Sequence, residues 1–451
     1  MSDGRVYFVD RNLTDSETKV AIEKAASVGS AVTATRQKVD RRGNPILPDV
    51  GNLVALNLSD GTIAWKTPFD FTNVTLDDRA LGQRAGIICM VKDGVVVVSG
   101  IGSIGHPYNE FKKGEFAQRS IYAFNASDGT LRWGGSRNHR KRPIIVGDSI
   151  YAEPGAWDLK TGEPRTTVNP LTGEQTPLDF LRGYSGCDHL LASANCIFGN
   201  AGSGGFAHYN LDEQAGYTPI GGMQLACNTG AVPANGLFVA PEGRSGCACG
   251  FGLQTSLVLY PRNEARAWGF STRGNLLADV LPVRHAAVNL GAPGFRTDSS
   301  KRLWLPYAGE QNTAGAFRNW LPQYQHNPDS FIWRQVDTDL IDDELIPWVY
   351  SSHYHGEKEL AFPMSAEGKQ EYTIRLYFIE PEKKSVGERV FSVMLQGKGV
   401  IDELDIAKET GGSFRPLTRT FKGVEIDRTL RIQLKPKAGR PLLCGFEVTR
   451  E

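Results

Sequence analysis

The stretch NLVALNLSDGTIAW, residues 52–65, returns as RSIYAFNASDGTLRW at residues 119–133. In both copies an alternating apolar strand runs into an Asp-Gly turn, and a second strand ends in tryptophan. An Asp-Gly pair between two alternating strands is a strong short-range signal of a β-hairpin. The repetition therefore predicts an all-β protein in which one hairpin unit recurs along the chain.

Further copies of the unit extend the repeat. GAWDLKTGEPRT at residues 155–166 is a weaker copy, and TSLVLYPRNEARAW at residues 255–268 is more degraded. A strand announced by a turn also recurs, at Asp3, Asp93, Asp148, Asn195 and Asn235. The intervals between the last four of these positions have the length of four-stranded propeller blades. A single blade cannot bury the faces of its sheet without neighbouring blades.

These hairpins resemble the pyrroloquinoline quinone-like repeat of β-propeller proteins, over roughly residues 4–270. The resemblance implies a propeller domain at residues 1–280, incomplete or unusually small, with about five visible four-stranded blades. Quinoprotein dehydrogenases of this class use a bound quinone, a calcium ion and a disulfide between adjacent cysteines. The sequence has no adjacent cysteine pair, so we expect no quinone cofactor.

A different pattern follows the repeats. EYTIRLYFIE (371–380), GERVFSVMLQGKGV (387–400), LDIAKETGG (404–412) and LRIQLKPKAGRPLLCGFEV (430–448) read as alternating strands with glycine-containing turns. Such a run predicts a β-sandwich.

This second region resembles the malectin-like carbohydrate-binding fold, which implies a sandwich domain at residues 284–451 and carbohydrate as partner. The resemblance rests on VNLGAP, YTIRLYF, RVFSVMLQG, DELDI and LLCGFEV. Just before the last strand, where malectin has an acidic sugar ligand, this chain has Gly439 and Arg440. Binding of a diglucose should therefore not be assumed.

Aromatic and imidazole side chains concentrate in PWVYSSHYHGEKE (347–359), which we expect to be a loop, and in LWLPY (303–307) upstream. Flat rings stack on sugar faces while polar groups bond the hydroxyls, so the cluster favours a carbohydrate platform. Packing of the rings inside the protein is the alternative. Two histidines without a third ligand are weak evidence for metal, and no metal site is expected. The predicted carbohydrate-binding residues are Trp304, Tyr307, Tyr350, His353, Tyr354 and His355.

Four of the seven cysteines are candidates for disulfides. Two of them precede equivalent Ala-Asn strands of the repeat, and two share one glycine-rich loop. Disulfides that link loops of the propeller are the preferred interpretation, because the resemblance implies an exported protein. Zinc binding and free thiols are the alternatives. The candidates are Cys187, Cys227, Cys247 and Cys249.

Histidine, arginine and tyrosine side chains in the repeats allow an enzymatic alternative. A lyase on acidic polysaccharide needs a cation to neutralise the uronate and a histidine or tyrosine to move the proton beside it. Solvated loops and strand-edge polar groups are the other interpretation. The candidates are His139, Arg140, Tyr184, His189 and His208.

Composition excludes several partners. The chain has 50 basic and 50 acidic side chains in 451 residues and no basic stripe, so a nucleic-acid partner is not expected. No apolar run predicts a membrane span, and the start lacks a signal peptide. The resemblance implies a periplasmic or extracellular location.

We expect a non-catalytic carbohydrate-binding or scaffold protein; the alternative is a polysaccharide lyase with the sandwich as binding module. The oligomeric state is not predicted.

Overall fold

The computed structural model is almost entirely β-strand with a few short helices, which confirms the predicted all-β class. By its internal contacts the chain divides into two compact units: Met1–Thr166 with Pro177–His208 and Ile220–Arg262, and Thr167–Thr176 with Tyr209–Pro219 and Asn263–Glu451. The structure describes residues 4–27, 49–75, 86–100, 119–180, 189–200, 205–214, 217–221, 231–241, 256–260, 268, 282–307, 331–332, 337–343, 345–357, 359–365 and 368–451.

Small sheets built from consecutive strands follow one another in the first part of the chain. Sheet I contains β1 (Arg5–Asp10), β2 (Val50–Asn57) and β3 (Ile63–Asp70). Sheet II contains β4 (Ile87–Lys92), β5 (Val95–Gly100), β6 (Ser120–Asn125) and β7 (Leu131–Ser136). Sheet III contains β8 (Ile144–Val146), β9 (Ser149–Ala152) and β10 (Gly155–Asp158), and a hairpin of β11 (Thr166–Val168) and β12 (Gln175–Pro177) follows. Sheet IV contains β13 (Leu191–Ala192), β14 (Cys196–Asn200), β15 (Gly205–Asn210) and β16 (Tyr217–Gly221), and sheet V contains β17 (Val232–Ala234), β18 (Leu237–Ala240) and β19 (Leu257–Leu259).

The described residues give two of the five sheets the four strands of a predicted blade. Four strands are present in sheets II and IV, whereas the described parts of sheets I, III and V contain three each. The two units contain helices α1 (Asp15–Ser27), α2 (Thr72–Thr75), α3 (Pro347–Tyr350) and α4 (Ile406–Thr410) and a 3₁₀ helix (Thr338–Leu340). No helix in the described residues is long and apolar enough to cross a bilayer.

The repeated turn has the same geometry in its copies. Gly61 and Gly129 both have φ +72°, and in each copy the preceding aspartate accepts from the Thr N–H at 2.9 Å and the Thr hydroxyl at 2.7 Å. In the weaker copy, the glycine of the turn is Gly162 (φ +74°). A further turn of this kind, which was not predicted from the sequence, has Gly173 with φ +73°. These positions require glycine because other residues rarely adopt this conformation.

The tryptophans of the two clearest copies each pack on the turn of the next sheet. Trp65 Nε1 donates to the Ala126 carbonyl at 2.9 Å, and Trp133 Nε1 donates to the Leu159 carbonyl at 3.0 Å. The indole ring lies directly over the turn glycine, so that a Cβ on Gly129 would lie 2.5 Å from Trp65. The repeat therefore joins one sheet to the next by a hydrogen bond and a close ring contact.

Apolar faces fill the space between successive sheets. Leu53 and Phe69 of sheet I pack with Val96 and Phe124 of sheet II in one buried cluster. The opposite face of sheet II contributes Val97 to a second cluster with residues of sheet III. A sheet that is packed between two other sheets needs apolar side chains on both of its faces, as sheet II has.

The second unit contains a β-sandwich. Its six-stranded sheet has the order β21 (Arg296–Thr297), β22 (Leu303–Tyr307), β20 (His285–Leu290), β32 (Gly445–Arg450), β26 (Lys369–Phe378) and β29 (Leu417–Asp427). The facing four-stranded sheet has the order β25 (Leu360–Pro363), β30 (Thr429–Ala438), β27 (Val390–Leu395) and β28 (Lys398–Leu404). A small third sheet contains β23 (Phe331–Ile332), β24 (His353–His355) and β31 (Leu442–Leu443).

The sandwich core lies between the two larger sheets. Register aligns Val288, Phe446 and Leu376 across three adjacent strands, and all three are fully buried. Phe362 of the facing sheet packs on Phe446 with ring centroids 4.7 Å apart. Burial of side chains of this size is the main source of stability for such a domain.

Two segments differ from the sequence prediction. Residues 404–412, predicted to continue the strands, contain α4, because the Asp405 side chain accepts from Lys408 N–H as an N-cap and Gly411 ends the helix in the left-handed conformation. Residues 347–359, predicted as a loop, contain α3 and β24. Pro347 occupies the first turn of α3, where a missing N–H is tolerated.

Replacement of Gly129 by alanine tests the docking of the repeat tryptophan. We expect the free energy of unfolding to fall by about 3 kcal/mol, because the left-handed backbone costs roughly 1 kcal/mol and the forced shift of the Trp65 ring costs about 2 kcal/mol more. Urea denaturation followed by tryptophan fluorescence measures the change.

Gly61→Ala is the matched control. Gly61 has the same φ in the equivalent turn of the other copy, but a Cβ there meets nothing within 4 Å. The control should therefore lose only the backbone contribution of about 1 kcal/mol. Equal losses in the two variants would contradict the docking of Trp65 on Gly129.

Candidate functional site

A row of side chains crosses the outer face of the six-stranded sheet, which is the face turned away from the four-stranded sheet. Trp304 lies opposite Ala287, and Ala287 lies opposite Glu447. Arg375 on the next strand is the other neighbour of Glu447. Because side chains alternate between faces and Phe446 points into the core, Glu447 points outward. The last strand therefore places a carboxylate in the middle of this face.

The Glu447 carboxylate is paired with two arginines. Oε1 accepts from Arg302 Nη1, and Oε2 lies 3.8 Å from Arg375 Nη1. The Glu447 side chain is only 9% exposed, and an enclosed carboxylate without a cation would be costly. The Arg375 side chain is 46% exposed. Arg302 therefore stabilises the carboxylate, whereas Arg375 keeps donors open to solvent.

Asp298 organises the turn that carries Arg302. Its Oδ1 accepts from the N–H groups of Ser300 at 2.9 Å and Arg302 at 3.0 Å. Its Oδ2 accepts from Trp304 Nε1 at 3.1 Å and lies 3.3 Å from Arg302 Nε. One carboxylate therefore fixes the turn between β21 and β22, the Trp304 ring and the Arg302 guanidinium together.

Aromatic rings form the floor beside these charges. Tyr377 packs edge-on against Trp304, with centroids 5.3 Å apart, and lies 5.9 Å from Tyr350. The Tyr350 hydroxyl lies 3.3 Å from the Thr418 hydroxyl. Burial raises the pKa of both tyrosines well above the usual range, and the nearby Asp343 carboxylate adds to the rise at Tyr350. Both phenols are therefore neutral hydrogen-bonding groups at physiological pH.

Together these groups line a cleft of about 220 Å³. Its wall includes three carboxylates, two guanidinium groups and the hydroxyls of tyrosine, serine and threonine. A concave site with converging donors and acceptors beside aromatic rings is typical of small polar ligands. The charged and tyrosine residues of the cleft are Asp298, Arg302, Asp343, Tyr350, Arg375, Tyr377 and Glu447.

Most residues of this cleft were not predicted from the sequence. Arg375 in TIRLYF and Glu447 in GFEVT are single charges inside otherwise apolar strands. A charge in such a run is uncommon in a core, so this pattern was the available signal. Asp298, Arg302 and Asp343 lie in polar turns, where sequence pattern does not distinguish ligand contacts from turn chemistry.

The predicted aromatic platform is not an exposed surface, which corrects the prediction. The rings belong to the core because LWLPY forms β22 and HYH forms β24, and both strands pack inside the unit. Stacking on a sugar needs an open ring face, which these residues do not offer. Tyr350 alone of the six lines the cleft. Trp304, Tyr307, Tyr350, His353 and Tyr354 are buried, and His355 is half-buried.

His353 lies near a group of charged side chains at another place in the sandwich. Arg389 bonds the carboxylates of Glu380 and Glu382 at 2.9 and 2.8 Å. Burial, with the nearby charges of His355 and Arg389, lowers the pKa of His353 to about 3. The His353 and His355 rings lie 5.9 Å apart. No group of metal-binding side chains occurs in the described part of the chain.

Two of the lyase candidates of the first unit, His139 and Arg140, are enclosed. His139 and Arg140 are buried, Arg140 pairs with Glu153 at 2.5 Å, and burial lowers the pKa of His139 to about 3. A polymer cannot reach either side chain, so the structure contradicts their role as contact residues. His189 and His208 are half-buried, and burial lowers the pKa of His208. Tyr184 lies outside the described residues.

All four disulfide candidates, Cys187, Cys227, Cys247 and Cys249, lie outside the described residues. Cys89 and Cys444 have free thiols. Burial raises the pKa of Cys89 to about 12, and it raises the pKa of Cys444 as well. Both are apolar packing residues rather than reactive thiols.

The lowered pKa of His353 predicts how stability depends on pH. The pKa of His353 is about 3 in the folded state and 6.5 ordinarily, so neutral His353 contributes fully to the free energy of unfolding above pH 6.5. That contribution is lost as pH falls toward 3. We expect His353→Gln to weaken the pH dependence of the free energy of unfolding below pH 6.5 by up to about 1.4 kcal/mol per pH unit. Urea titrations from pH 7 to 4 measure it, and identical slopes would contradict the neutral state of His353.

Comparison with known proteins finds a domain match within the second unit. A family model described as the Malectin domain matches residues 285–447. Receptor-like protein 4 of Arabidopsis thaliana is 31% identical over 85 residues, which is 18% of this chain and 14% of that protein. This chain therefore spans a small part of that relative.

Solved structures show distant similarity. The ANX2 ectodomain of Arabidopsis thaliana has a TM-score of 0.28 and 14% identity, over 37% of this chain and 49% of that one. The Bacteroides uniformis β-glucuronidase has a TM-score of 0.30 and 13% identity, over 92% of this chain and 33% of that one. The chain spans about half of the ANX2 ectodomain.

The backbone around Gly439 explains why glycine occupies this position. Gly439 has φ +63°, and a Cβ there would lie 2.5 Å from the Glu388 carbonyl oxygen. An acidic side chain therefore does not fit at this position without a backbone shift. Residues 285–447 are a malectin domain that has its polar cleft on the outer face of the six-stranded sheet.

Proposed function

We propose that the malectin domain is a non-catalytic carbohydrate-binding module and that the cleft around Arg375 and Glu447 holds the sugar. The observation that carries the proposal is the cleft itself, which combines a half-exposed guanidinium, paired carboxylates and phenol hydroxyls in about 220 Å³. Sugars are recognised by such mixtures of donors and acceptors, because each hydroxyl both donates and accepts. The match to the malectin family supports the same ligand class.

Pre-organisation of the charged groups supports binding as the function of the cleft. Arg302 is held by Asp298 and Glu447 before any ligand arrives. Side chains that are already ordered lose little conformational entropy on binding, so more of the interaction energy appears as affinity. Arg375 then supplies charged hydrogen bonds to a ligand from the open side of the cleft.

We infer that the first unit is a β-propeller of the pyrroloquinoline quinone-like repeat class, with sheets I to V as consecutive blades. The support is the repeated turn and the tryptophan that docks on the following sheet. A propeller of this kind joined to a binding module suits a scaffold role. We propose an exported protein, in the periplasm or outside the cell, from the same resemblance.

Arg375→Ala tests the site. We expect the dissociation constant for a bound glycan to rise at least tenfold, because the variant removes charged hydrogen bonds worth about 1.5–3 kcal/mol. Affinity electrophoresis against a panel of neutral, amino and acidic polysaccharides identifies the glycan, and isothermal titration calorimetry with its oligosaccharide measures the change.

Lys369→Ala is the matched control. Lys369 lies on the same strand, is exposed, and pairs with Glu425 rather than with the cleft. Its replacement should leave the affinity unchanged. Absence of binding to every polysaccharide would overturn the proposed function, and unsaturated product that absorbs ultraviolet light would show a lyase instead.

A further inference from the structure

The charges of the cleft do not balance. Among its lining residues there are three carboxylates and two arginines. Arg302 pairs with both Asp298 and Glu447, and Arg375 lies beside Glu447. Asp343 forms no ion pair with any residue that the structure describes. One negative charge on the cleft wall is therefore left for a ligand to neutralise.

The backbone fixes where the Asp343 carboxylate lies. Its Oδ1 accepts from the N–H groups of Leu345 and Ile346, both at 2.8 Å. These two bonds hold the side chain in a tight turn at the cleft wall. They are bonds to neutral donors, which orient the carboxylate without cancelling its charge.

The segment around Asp343 strengthens the negative potential. Residues 337–347, DTDLIDDELIP, contain no lysine or arginine. Asp337, Asp339, Asp342 and Asp343 fall within seven residues of one another in the sequence. Charges of one sign beside a concave surface raise the local concentration of oppositely charged ligands.

Aromatic rings stand next to this carboxylate. The Asp343 charge acts on the Tyr350 phenol, and Tyr350 packs against Tyr377. A neutral phenol oxygen can accept a hydrogen bond from a cationic N–H group. A carboxylate and neutral phenols in one cleft are a suitable setting for an ammonium group.

We propose that the cleft binds an amino sugar, with the ammonium group of the sugar at Asp343 and its hydroxyls at Arg375. This rests on the proposed carbohydrate-binding function and adds the substrate class. The ammonium donates to the Asp343 carboxylate, so the excess negative charge of the cleft is neutralised. An N-acetylated sugar of the same shape lacks that charge.

The test compares two ligands that differ in this group alone. Calorimetry at low salt measures binding of glucosamine oligomers and of N-acetylglucosamine oligomers of equal length to the full chain. We expect the glucosamine oligomers to bind at least tenfold more tightly, and the preference to shrink as salt screens the charge.

Two variants locate the effect. Asp343→Asn keeps an oxygen for the backbone N–H groups and removes the charge. The ratio of the affinities for the two oligomers should therefore fall close to one. Asp402→Asn removes an exposed carboxylate on the facing sheet and should leave the preference intact.

The outcomes separate the two proposals. Equal binding of both oligomers, or a preference that survives in Asp343→Asn, overturns the amino-sugar inference and leaves carbohydrate binding standing. Failure of every glycan to bind, these oligomers included, overturns both. A preference for acidic glycans also overturns the inference.

Discussion

The pairing of Glu447 with Arg302 is the constraint on which the outer face of the sandwich depends. The final strand must bury Phe446 and Val448 in the core, and alternation then forces Glu447 onto the opposite face. Since that position is nearly closed to water, the carboxylate needs a cation. Arg302 supplies it from a turn that Asp298 holds. The cleft is therefore a consequence of how Glu447 on the last strand meets Arg302 from the turn between β21 and β22.

The first unit depends on a simpler contact that recurs. A tryptophan at the end of one hairpin lies on the turn glycine of the next sheet and bonds the backbone beside it. Because the ring occupies the space of a side chain, the sequence keeps glycine at that point in Gly129 and Gly162. The repeat in the sequence is thus the trace of sheet-to-sheet docking.

Sequence patterns predicted the strands well and the exposure of aromatic rings poorly. Alternation identified β26, β27 and β30, and the Asp-Gly signal identified the repeated turns. The same alternation does not say whether a ring such as Tyr354 faces solvent or a neighbouring layer, because that depends on what covers it. Short helices such as α3 were missed since four residues give no periodicity. Glu447 and Arg375 were visible as charges in apolar strands, but the ion pair that joins the cleft required the register between strands.

A crystal structure of the chain with its bound oligosaccharide tests the central claim most directly. The account predicts electron density for a sugar in the cleft, within hydrogen-bonding distance of Arg375 and beside the Glu447–Arg302 pair. Density for the sugar at the loop that contains Gly439 and Arg440, with the cleft empty, would contradict it.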